Sequence, residues 1–266
     1  MKSTMKQIAK NGTVYELTGP EGAPVIALIH GLGLHRAIWK DYLPVLEQDY
    51  RVLNYDLFGH GESPAPPEVP TLTTFSEQLH SLMNECGINQ AALAGFSLGG
   101  MINRRFAMDH PDGVSSLLIL NSPHERGDEA QRLVEERAAK SDSGGPGATL
   151  NATIERWFTA EFRANNDDYI QQVRSWVLAN ELEAYAQCRW VLAAGVVELI
   201  RPQPPITHPT LVITCENDSG STPSMTDSIA SEITGARAFI IPTLQHMGLV
   251  ERPNLFLKPM LDFLAE

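Results

Sequence analysis

The chain has 266 residues, of which 43% are hydrophobic and 20% are charged. These proportions exclude a disordered, collagen-like or disulfide-dense chain, and the length fits one large α/β domain or one core with a sizeable insertion. The net charge of −12 argues against nucleic acid and anionic membranes as partners, because attraction to phosphate needs clustered cations. A small anionic substrate stays open, since one or two local cations are enough to bind it.

The cysteines and the N-terminal segment predict the compartment. Cys86, Cys188 and Cys215 are far apart and share no metal-ligand or redox spacing, which is typical of buried free thiols in a reducing compartment. The first ten residues lack the apolar segment of a signal peptide, and no apolar run approaches the ~20 residues of a membrane helix. We therefore expect a soluble, cytoplasmic protein.

Short apolar segments alternate with helical patterns through the first 120 residues. Strands are predicted at 25–29, 51–56, 91–96 and 114–120, and helices at 73–86 and 99–110. The strand segments are continuously apolar rather than alternating. Such strands are buried on both faces, which indicates a parallel sheet flanked by helices.

The alternation stops at Pro123. Residues 123–205 show no clear strand: they are first polar, then rich in Gly, Ser and Pro at 141–147, then helical in composition. Strands are predicted again at 210–214 and 238–241, and a terminal helix at 254–264. We therefore predict a core domain formed by 1–122 and 206–266, with a helical cap (lid) at 123–205 inserted after the sixth strand.

Residues 95–100 read Gly-Phe-Ser-Leu-Gly-Gly and lie between a predicted strand and a predicted helix. This context is the one required by the GxSxG nucleophile elbow, a tight turn whose strained backbone exposes the serine hydroxyl. The amides at the start of the next helix point to the same place. The pattern predicts Ser97 as a nucleophile.

A serine hydroxyl needs a base to remove its proton, and the base needs an acceptor that fixes its tautomer. Asp218 follows the strand predicted at 210–214, and His246 follows the strand that ends at 241. Both therefore lie on loops at the carboxyl edge of the sheet, together with Ser97. The order Ser, Asp, His predicts a catalytic triad.

Residues 30–33 read His-Gly-Leu-Gly and follow the strand at 25–29. A glycine-rich loop at this position can present the backbone N–H of Leu32, which with the N–H of Leu98 would form an oxyanion hole. Loss of one such donor typically costs about 3–4 kcal/mol. We expect His30 to brace this loop rather than to titrate during catalysis.

These motifs, together with the Asp-x-x-Gly-x-Gly-x-Ser segment at 56–63, resemble the α/β-hydrolase superfamily over nearly the whole chain. The resemblance implies an α/β-hydrolase fold, a mostly parallel central sheet flanked by helices, with Ser97 as nucleophile, Asp218 as acid and His246 as base. The cap position and the segments at 157–162, 183–188 and 251–253 resemble the 3-oxoadipate enol-lactonase branch. The segments at 218–223 and 245–248 depart from that branch, so its substrate is not inferred.

The expected activity is hydrolysis of a small carboxylic ester or lactone through an acyl-enzyme. A carbon–carbon bond hydrolase, a cofactor-free perhydrolase and a ligand receptor that retains the triad are the alternatives. Serine at the elbow argues against the epoxide hydrolases and haloalkane dehalogenases of this fold, which use aspartate there. No metal-ligand or phosphate-loop spacing occurs, so neither a metal nor a cofactor is expected.

The sequence also offers candidates for substrate contacts. Trp157, Arg189, Trp190 and His124 are the residues we expect nearest the substrate, and the cap arginines Arg163 and Arg174 are further candidates for binding a substrate carboxylate. The expected partner is a small ester or lactone, and a homodimer remains open.

Overall fold

The computed structural model describes residues 6–139 and 145–266. Part of the N-terminal segment and most of the Gly/Ser/Pro-rich segment predicted at 141–147 lie outside the described residues. Eight strands of the described chain form one sheet in the order β1-β2-β4-β3-β5-β6-β7-β8. The strands are β1 (Gln7–Ile8), β2 (Val14–Thr18), β3 (Val25–Ile29), β4 (Arg51–Tyr55), β5 (Ala91–Phe96), β6 (Val114–Leu120), β7 (Thr210–Cys215) and β8 (Arg237–Ile241).

Strands β3 to β8 are parallel, and only β1 and β2 run antiparallel to their neighbours. The expected mostly parallel sheet is thus confirmed. Alternate side chains of the central strands enter the cores on the two faces of the sheet. In β3, Ala27 and Ile29 pack into one core, and Ile26 and Leu28 pack into the other. The continuously apolar segments of the sequence follow from this double burial.

The helices of the described chain are α1 (Leu43–Leu46), α2 (Leu72–Glu85), α3 (Leu98–Asp109), α4 (Asp128–Ala139), α5 (Leu150–Trp157), α6 (Ala160–Asn165), α7 (Asp167–Leu178), α8 (Leu182–Ala194), α9 (Pro223–Glu232), α10 (Gly248–Glu251) and α11 (Pro253–Leu264). Helices α4 to α8 all lie between β6 and β7, which confirms a helical insertion after the sixth strand. Its treatment as a separate domain with boundaries at 123 and 205 stays a prediction. None of the described helices is long and apolar enough to span a membrane.

Strands β1 and β2 were not predicted, because neither has a continuous apolar segment. Strand β2 starts with two buried residues, Val14 and Tyr15, and continues with three half-buried ones. It lies second from the edge of the sheet, and its sequence has no continuous apolar segment that would have predicted a strand. Strand β1, at the edge, is only two residues long. The strands that were predicted all lie in the interior of the sheet or at its opposite end, and their bounds agree within one residue.

The parallel arrangement places several loops together. Strands β3, β5, β6, β7 and β8 end at the same edge of the sheet, so the residues after Ile29, Phe96, Leu120, Cys215 and Ile241 converge there. Crevices outside the carboxyl ends of parallel strands are the usual location of binding sites in such sheets.

Candidate active site

Ser97 lies between the last residue of β5 and the first residue of α3, in a left-handed backbone conformation with φ 56° and ψ −112°. This conformation costs a non-glycine residue of order 1–3 kcal/mol. The Ser97 N–H donates to the carbonyl oxygen of Leu120 at 2.8 Å, which holds the turn against β6. The strained turn predicted for the elbow is therefore present.

The glycines around Ser97 are required by close backbone contacts. A Cβ on Gly95 would overlap the carbonyl oxygen of Gly99, and a Cβ on Gly99 would overlap the carbonyl oxygen of Ile29. Because both neighbours are backbone atoms, neither can move aside without displacing a strand or a helix. The tight packing of α3 against β3 and β5 fixes the position of Ser97.

His246 and Asp218 form a hydrogen-bonded pair. The Nδ1 atom of His246 lies 2.6 Å from Oδ2 of Asp218, and both side chains are buried, with relative exposures of 8% and 2%. Donation from Nδ1–H to the carboxylate leaves Nε2 as the nitrogen that can accept a proton. The ring of His246 contacts those of Phe96 and Trp157, with centroid distances of 4.9 and 5.9 Å.

The carboxylate of Asp218 accepts further hydrogen bonds. The Asn121 side-chain amide donates to Oδ2 at 2.9 Å, and the N–H groups of Gly220 and Ser221 donate to Oδ1 at 2.9 and 3.0 Å. Burial raises the pKa of Asp218, but the charge of His246 and these hydrogen bonds outweigh it and lower the pKa below its ordinary value. The carboxylate is consequently ionised at neutral pH.

Asn121 was not identified from the sequence. It follows β6 directly and adopts a left-handed conformation with φ 46°, which asparagine tolerates better than most residues. An asparagine directly after a buried parallel strand was the available signal. Its contact with Asp218 depends on β6 and β7 being neighbours, and the sequence pattern does not give strand order.

The loop after β3 is braced by His30, as expected. The His30 ring is fully buried; its Nε2 accepts from the N–H of Leu57 at 2.9 Å and its Nδ1 donates to the carbonyl oxygen of Gly31 at 2.8 Å. Burial and the neighbouring His60 lower the pKa of His30 well below its ordinary value, so the ring is neutral. Gly31 and Leu32 line the same cavity as Ser97.

The N–H of Leu98 belongs to the first turn of α3, where backbone donors have no partner within the helix. It directly follows Ser97 in the chain. The pairing of this donor with the N–H of Leu32 as an oxyanion hole stays a prediction.

A cavity of about 480 Å³ joins these loops to the inserted helices, within the size range of small-molecule sites. We call the core side the cavity floor; it consists of the lining residues Gly31, Leu32, Leu34, Phe96, Ser97, Pro123, Asp218, Gly220, Ser221 and His246. The cavity roof comprises Arg126 and the lining residues of α4, α5 and α8, among them Trp157 and Tyr185.

Four arginines line the cavity roof: Arg126, Arg137, Arg156 and Arg189. Among the described lining residues Asp218 is the one carboxylate, and it is paired with His246. Arg126 donates to Gln131 Oε1 at 2.9 Å. Within the described ranges, no carboxylate bonds to the other three guanidinium groups. The cavity is thus locally cationic although the chain carries a net charge of −12.

The structure places two of the four predicted substrate contacts in the cavity, Trp157 and Arg189. Trp190 is not there: it follows Arg189 on α8, about 100° around the helix, and its side chain is 43% exposed. The expectation for His124 was also wrong, because this side chain is fully buried between Arg104 and Glu232.

Of the further cap arginines, Arg163 and Arg174 do not line the cavity, and Arg174 bonds to Asn151 instead. Tyr185 was missed, although it lies four residues before Arg189 and hence on the same face of α8. Among the described residues, the one group of side chains close enough to bind a metal, Glu77, His80 and His110, lies outside the cavity.

Comparison with known proteins identifies the class. A family model described as alpha/beta hydrolase fold matches residues 24–253, and the chain belongs to this family. The fold, the strained Ser97 turn and the His246–Asp218 pair are those expected from the sequence motifs.

Relatives of the chain include enol-lactonases and other hydrolases. The chain is 26% identical to 3-oxoadipate enol-lactonase 1 of Acinetobacter baylyi over 91% of this chain and 89% of that protein. It is 26% identical to an (E)-2-((N-methylformamido)methylene)succinate hydrolase of the same species, over 96% of this chain and 95% of that protein. The crystal structure of the enol-lactonase from Burkholderia xenovorans superimposes with a TM-score of 0.86 at 31% identity, covering 96% of this chain and 98% of that chain. The resemblance to the enol-lactonase branch is thereby confirmed.

Proposed function

We propose that this α/β hydrolase is a serine hydrolase that cleaves a small carboxylic ester or lactone bearing a negative charge. The observation that carries the proposal is one cavity that contains the strained Ser97, the His246–Asp218 pair and four arginines. Family membership supports hydrolysis. The composition of the site supports the more specific proposal about the bond cleaved and the charge of the substrate.

The first half of the reaction forms an acyl-enzyme. His246 Nε2 takes the proton of the Ser97 hydroxyl as its oxygen attacks the substrate carbonyl carbon. The backbone N–H groups of Leu32 and Leu98 stabilise the negative charge that develops on the carbonyl oxygen. Asp218, ionised and hydrogen-bonded to Nδ1, stabilises the imidazolium. The imidazolium then protonates the leaving alkoxide, and the alkoxide departs as an alcohol.

The second half releases the acid. His246 removes a proton from a water molecule, which attacks the acyl carbon, and Ser97 leaves with that proton. For a lactone the alcohol stays attached to the acyl chain, so a single hydroxy acid is released. Where that alcohol is an enol, the product tautomerises to an oxo acid.

The arginines of the cavity roof favour an anionic substrate. Guanidinium groups bind carboxylates through charge-assisted and often bidentate hydrogen bonds. Arg189 is half-buried and Arg156 is exposed, so both remain accessible to a ligand. The names of two relatives agree with this interpretation, because succinate and oxoadipate derivatives carry carboxylates. Three of these arginines lie on the inserted helices α4, α5 and α8, and Arg126 lies two residues before α4. We therefore propose 123–205 as a substrate-selecting cap.

The proposal is tested with p-nitrophenyl acetate, butyrate and octanoate as substrates for the wild-type chain and for Ser97→Ala. We expect turnover that vanishes in the variant, and the chain-length preference will measure how much of the 480 Å³ cavity the acyl group can enter. Incubation with a fluorophosphonate should add one label at Ser97. Unchanged turnover in Ser97→Ala would rule out the mechanism. No turnover and no label in a folded wild-type chain would favour the receptor alternative.

A further inference from the structure

Two imidazoles and one carboxylate converge at the end of α3 that lies farthest from Ser97. Glu77 and His80 are three residues apart on α2, and His110 directly follows α3. Oε1 of Glu77 lies 2.8 Å from Nε2 of His110, and Oε2 lies 3.7 Å from Nδ1 of His80. The potential ligand atoms of the three side chains all lie within 4.8 Å of one another.

The two imidazole rings contact each other and the end of α3. They stack with a centroid distance of 3.8 Å and an interplanar angle of 24°, and the His110 ring also contacts the buried ring of Phe106 at 5.1 Å. The Asn84 amide lies 3.1 Å from Nε2 of His80. The atom that faces Nε2 is the amide nitrogen, which donates, so an ion at Nδ1 requires the Asn84 amide to turn and present its oxygen to Nε2–H; such a contact at the second nitrogen is usual for metal-binding histidines.

The electrostatics at this place favour a cation. His110 caps the C-terminal end of α3, where the helix dipole is negative and cations are stabilised. In the described part of the chain, the ion pairs of Glu77 are to His80 and His110 alone, so no lysine or arginine competes for its carboxylate. The lone pairs of the stacked rings lie in two nearly parallel planes, so one ion binds both imidazoles only after the His80 ring turns out of the stack.

We propose that Glu77, His80 and His110 form a binding site for one divalent transition-metal ion of the zinc class, with a fourth coordination position open to water. Imidazole nitrogens suit Zn²⁺ and Ni²⁺ better than Mg²⁺ or Ca²⁺. Bond lengths of about 2.0–2.2 Å require the ligand atoms to approach to roughly 3.5 Å in a tetrahedral site. The side chains of Glu77 and His80 are 56% and 40% exposed, so they have room to make this adjustment.

The site is separate from the proposed catalysis. None of its three residues lines the catalytic cavity, and the 12 residues of α3 span about 18 Å between Ser97 and His110. Ligands from α2 and from the end of α3 would join these neighbouring elements. A bound ion therefore stabilises the fold by mass action rather than taking part in hydrolysis.

The test is a calorimetric titration of the full chain with Zn²⁺ alone and with Ni²⁺ alone. We expect one saturable site in the wild type. Glu77→Gln keeps the shape of the side chain and removes its charge; we expect it and His110→Gln to weaken binding by about tenfold or more, as loss of ligand or supporting contacts typically does. His208→Gln is the control: it removes a half-buried imidazole that bonds to the carbonyl oxygen of Pro111 but is not one of the three proposed ligands, and it should bind like the wild type.

Thermal unfolding provides a second readout. Saturating Zn²⁺ should raise the Tm of the wild type and of His208→Gln but not that of Glu77→Gln. Equal binding by wild type and Glu77→Gln would overturn the proposal, as would the absence of a saturable site in the wild type. Binding that is lost in His246→Ala and retained in Glu77→Gln would place the ion at the triad and likewise refute the assignment. Glu77 is exposed, so its variant decides the question even where His110→Gln fails to fold.

Discussion

The floor and the roof of the catalytic cavity are built differently. On the floor the functional groups are buried and fixed: the Asp218 carboxylate accepts four hydrogen bonds from His246, Asn121, Gly220 and Ser221, and the Ser97 turn is held by backbone contacts. On the roof, Arg137 and Arg156 are exposed and Arg189 is half-buried. The floor is therefore suited to chemistry that needs pre-organised groups, and the roof to binding a charged part of the substrate.

This difference implies a division of labour. Changes on the floor should reduce kcat for every substrate, because they affect groups that act on the scissile carbonyl. Changes on the roof should raise KM for anionic substrates and leave neutral esters unaffected.

Ser97→Ala should reduce turnover of all esters by at least about 10³-fold, because the nucleophile is lost while the oxyanion donors remain. The fold should be unchanged, as judged by circular dichroism and Tm. Ser97→Gly is the informative companion: it should be equally inactive but more stable, since glycine adopts the φ of 56° without strain. Equal stability of the two variants would contradict the assignment of strain to this turn.

Asp218→Asn should lower kcat by about 10²–10⁴-fold, because an amide cannot stabilise the imidazolium and favours the wrong tautomer of His246. The loss should be smaller than in Ser97→Ala, and KM should change little. Steady-state kinetics on one neutral ester measure both parameters. A rise in KM with unchanged kcat would place Asp218 in substrate binding instead.

Arg189→Gln should raise KM for an anionic ester by about tenfold or more, because one charge-assisted hydrogen bond to the substrate is lost. The KM for a neutral ester should not change. Arg163→Gln is the matched control, because Arg163 belongs to an inserted helix but does not line the cavity. Similar losses on charged and neutral esters would show that Arg189 serves stability rather than selection.

Asn121→Gly should lower kcat by roughly three- to tenfold, since it removes one donor to Asp218 but keeps a residue suited to φ 46°. The pKa of Asp218 should rise accordingly, so the acid limb of the pH–rate profile should move to higher pH than in the wild type. Asn121→Ala adds backbone strain and should also lose stability. An unchanged pH profile in Asn121→Gly would argue against this role.

The sequence was most informative where local patterns are strong. Continuous apolar segments predicted the interior strands, and the GxSxG spacing predicted the Ser97 turn, because tight backbone packing demands particular residues at particular offsets. Strand β2, which pairs with the edge strand β1, was missed because its residues beyond Tyr15 are only half-buried. Of the four cavity arginines only Arg189 was predicted. Asn121 and the other three arginines were missed because these side chains come together only through strand order and helix packing, neither of which has a local signature.

The two wrong predictions of substrate contacts, Trp190 and His124, also depend on packing that the sequence does not show. Arg189 and Trp190 are adjacent in sequence, yet only the first faces the cavity, and helix rotation decides between them. His124 is polar and close to the start of the insertion, but Arg104 and Glu232 bury it as a packing partner. Composition indicated an aromatic and cationic cap; it did not indicate which side of each helix meets the substrate.

The most direct test of the division between floor and roof compares two esters that differ in one carboxylate. Mono-p-nitrophenyl succinate and p-nitrophenyl butyrate have acyl chains of equal length, and kcat/KM is measured for the wild type on both at low and high salt. We expect a preference of about tenfold or more for the succinate ester, which declines as salt screens the arginines. An equal or greater kcat/KM for the butyrate ester at low salt would contradict the claim that the cationic roof selects the substrate.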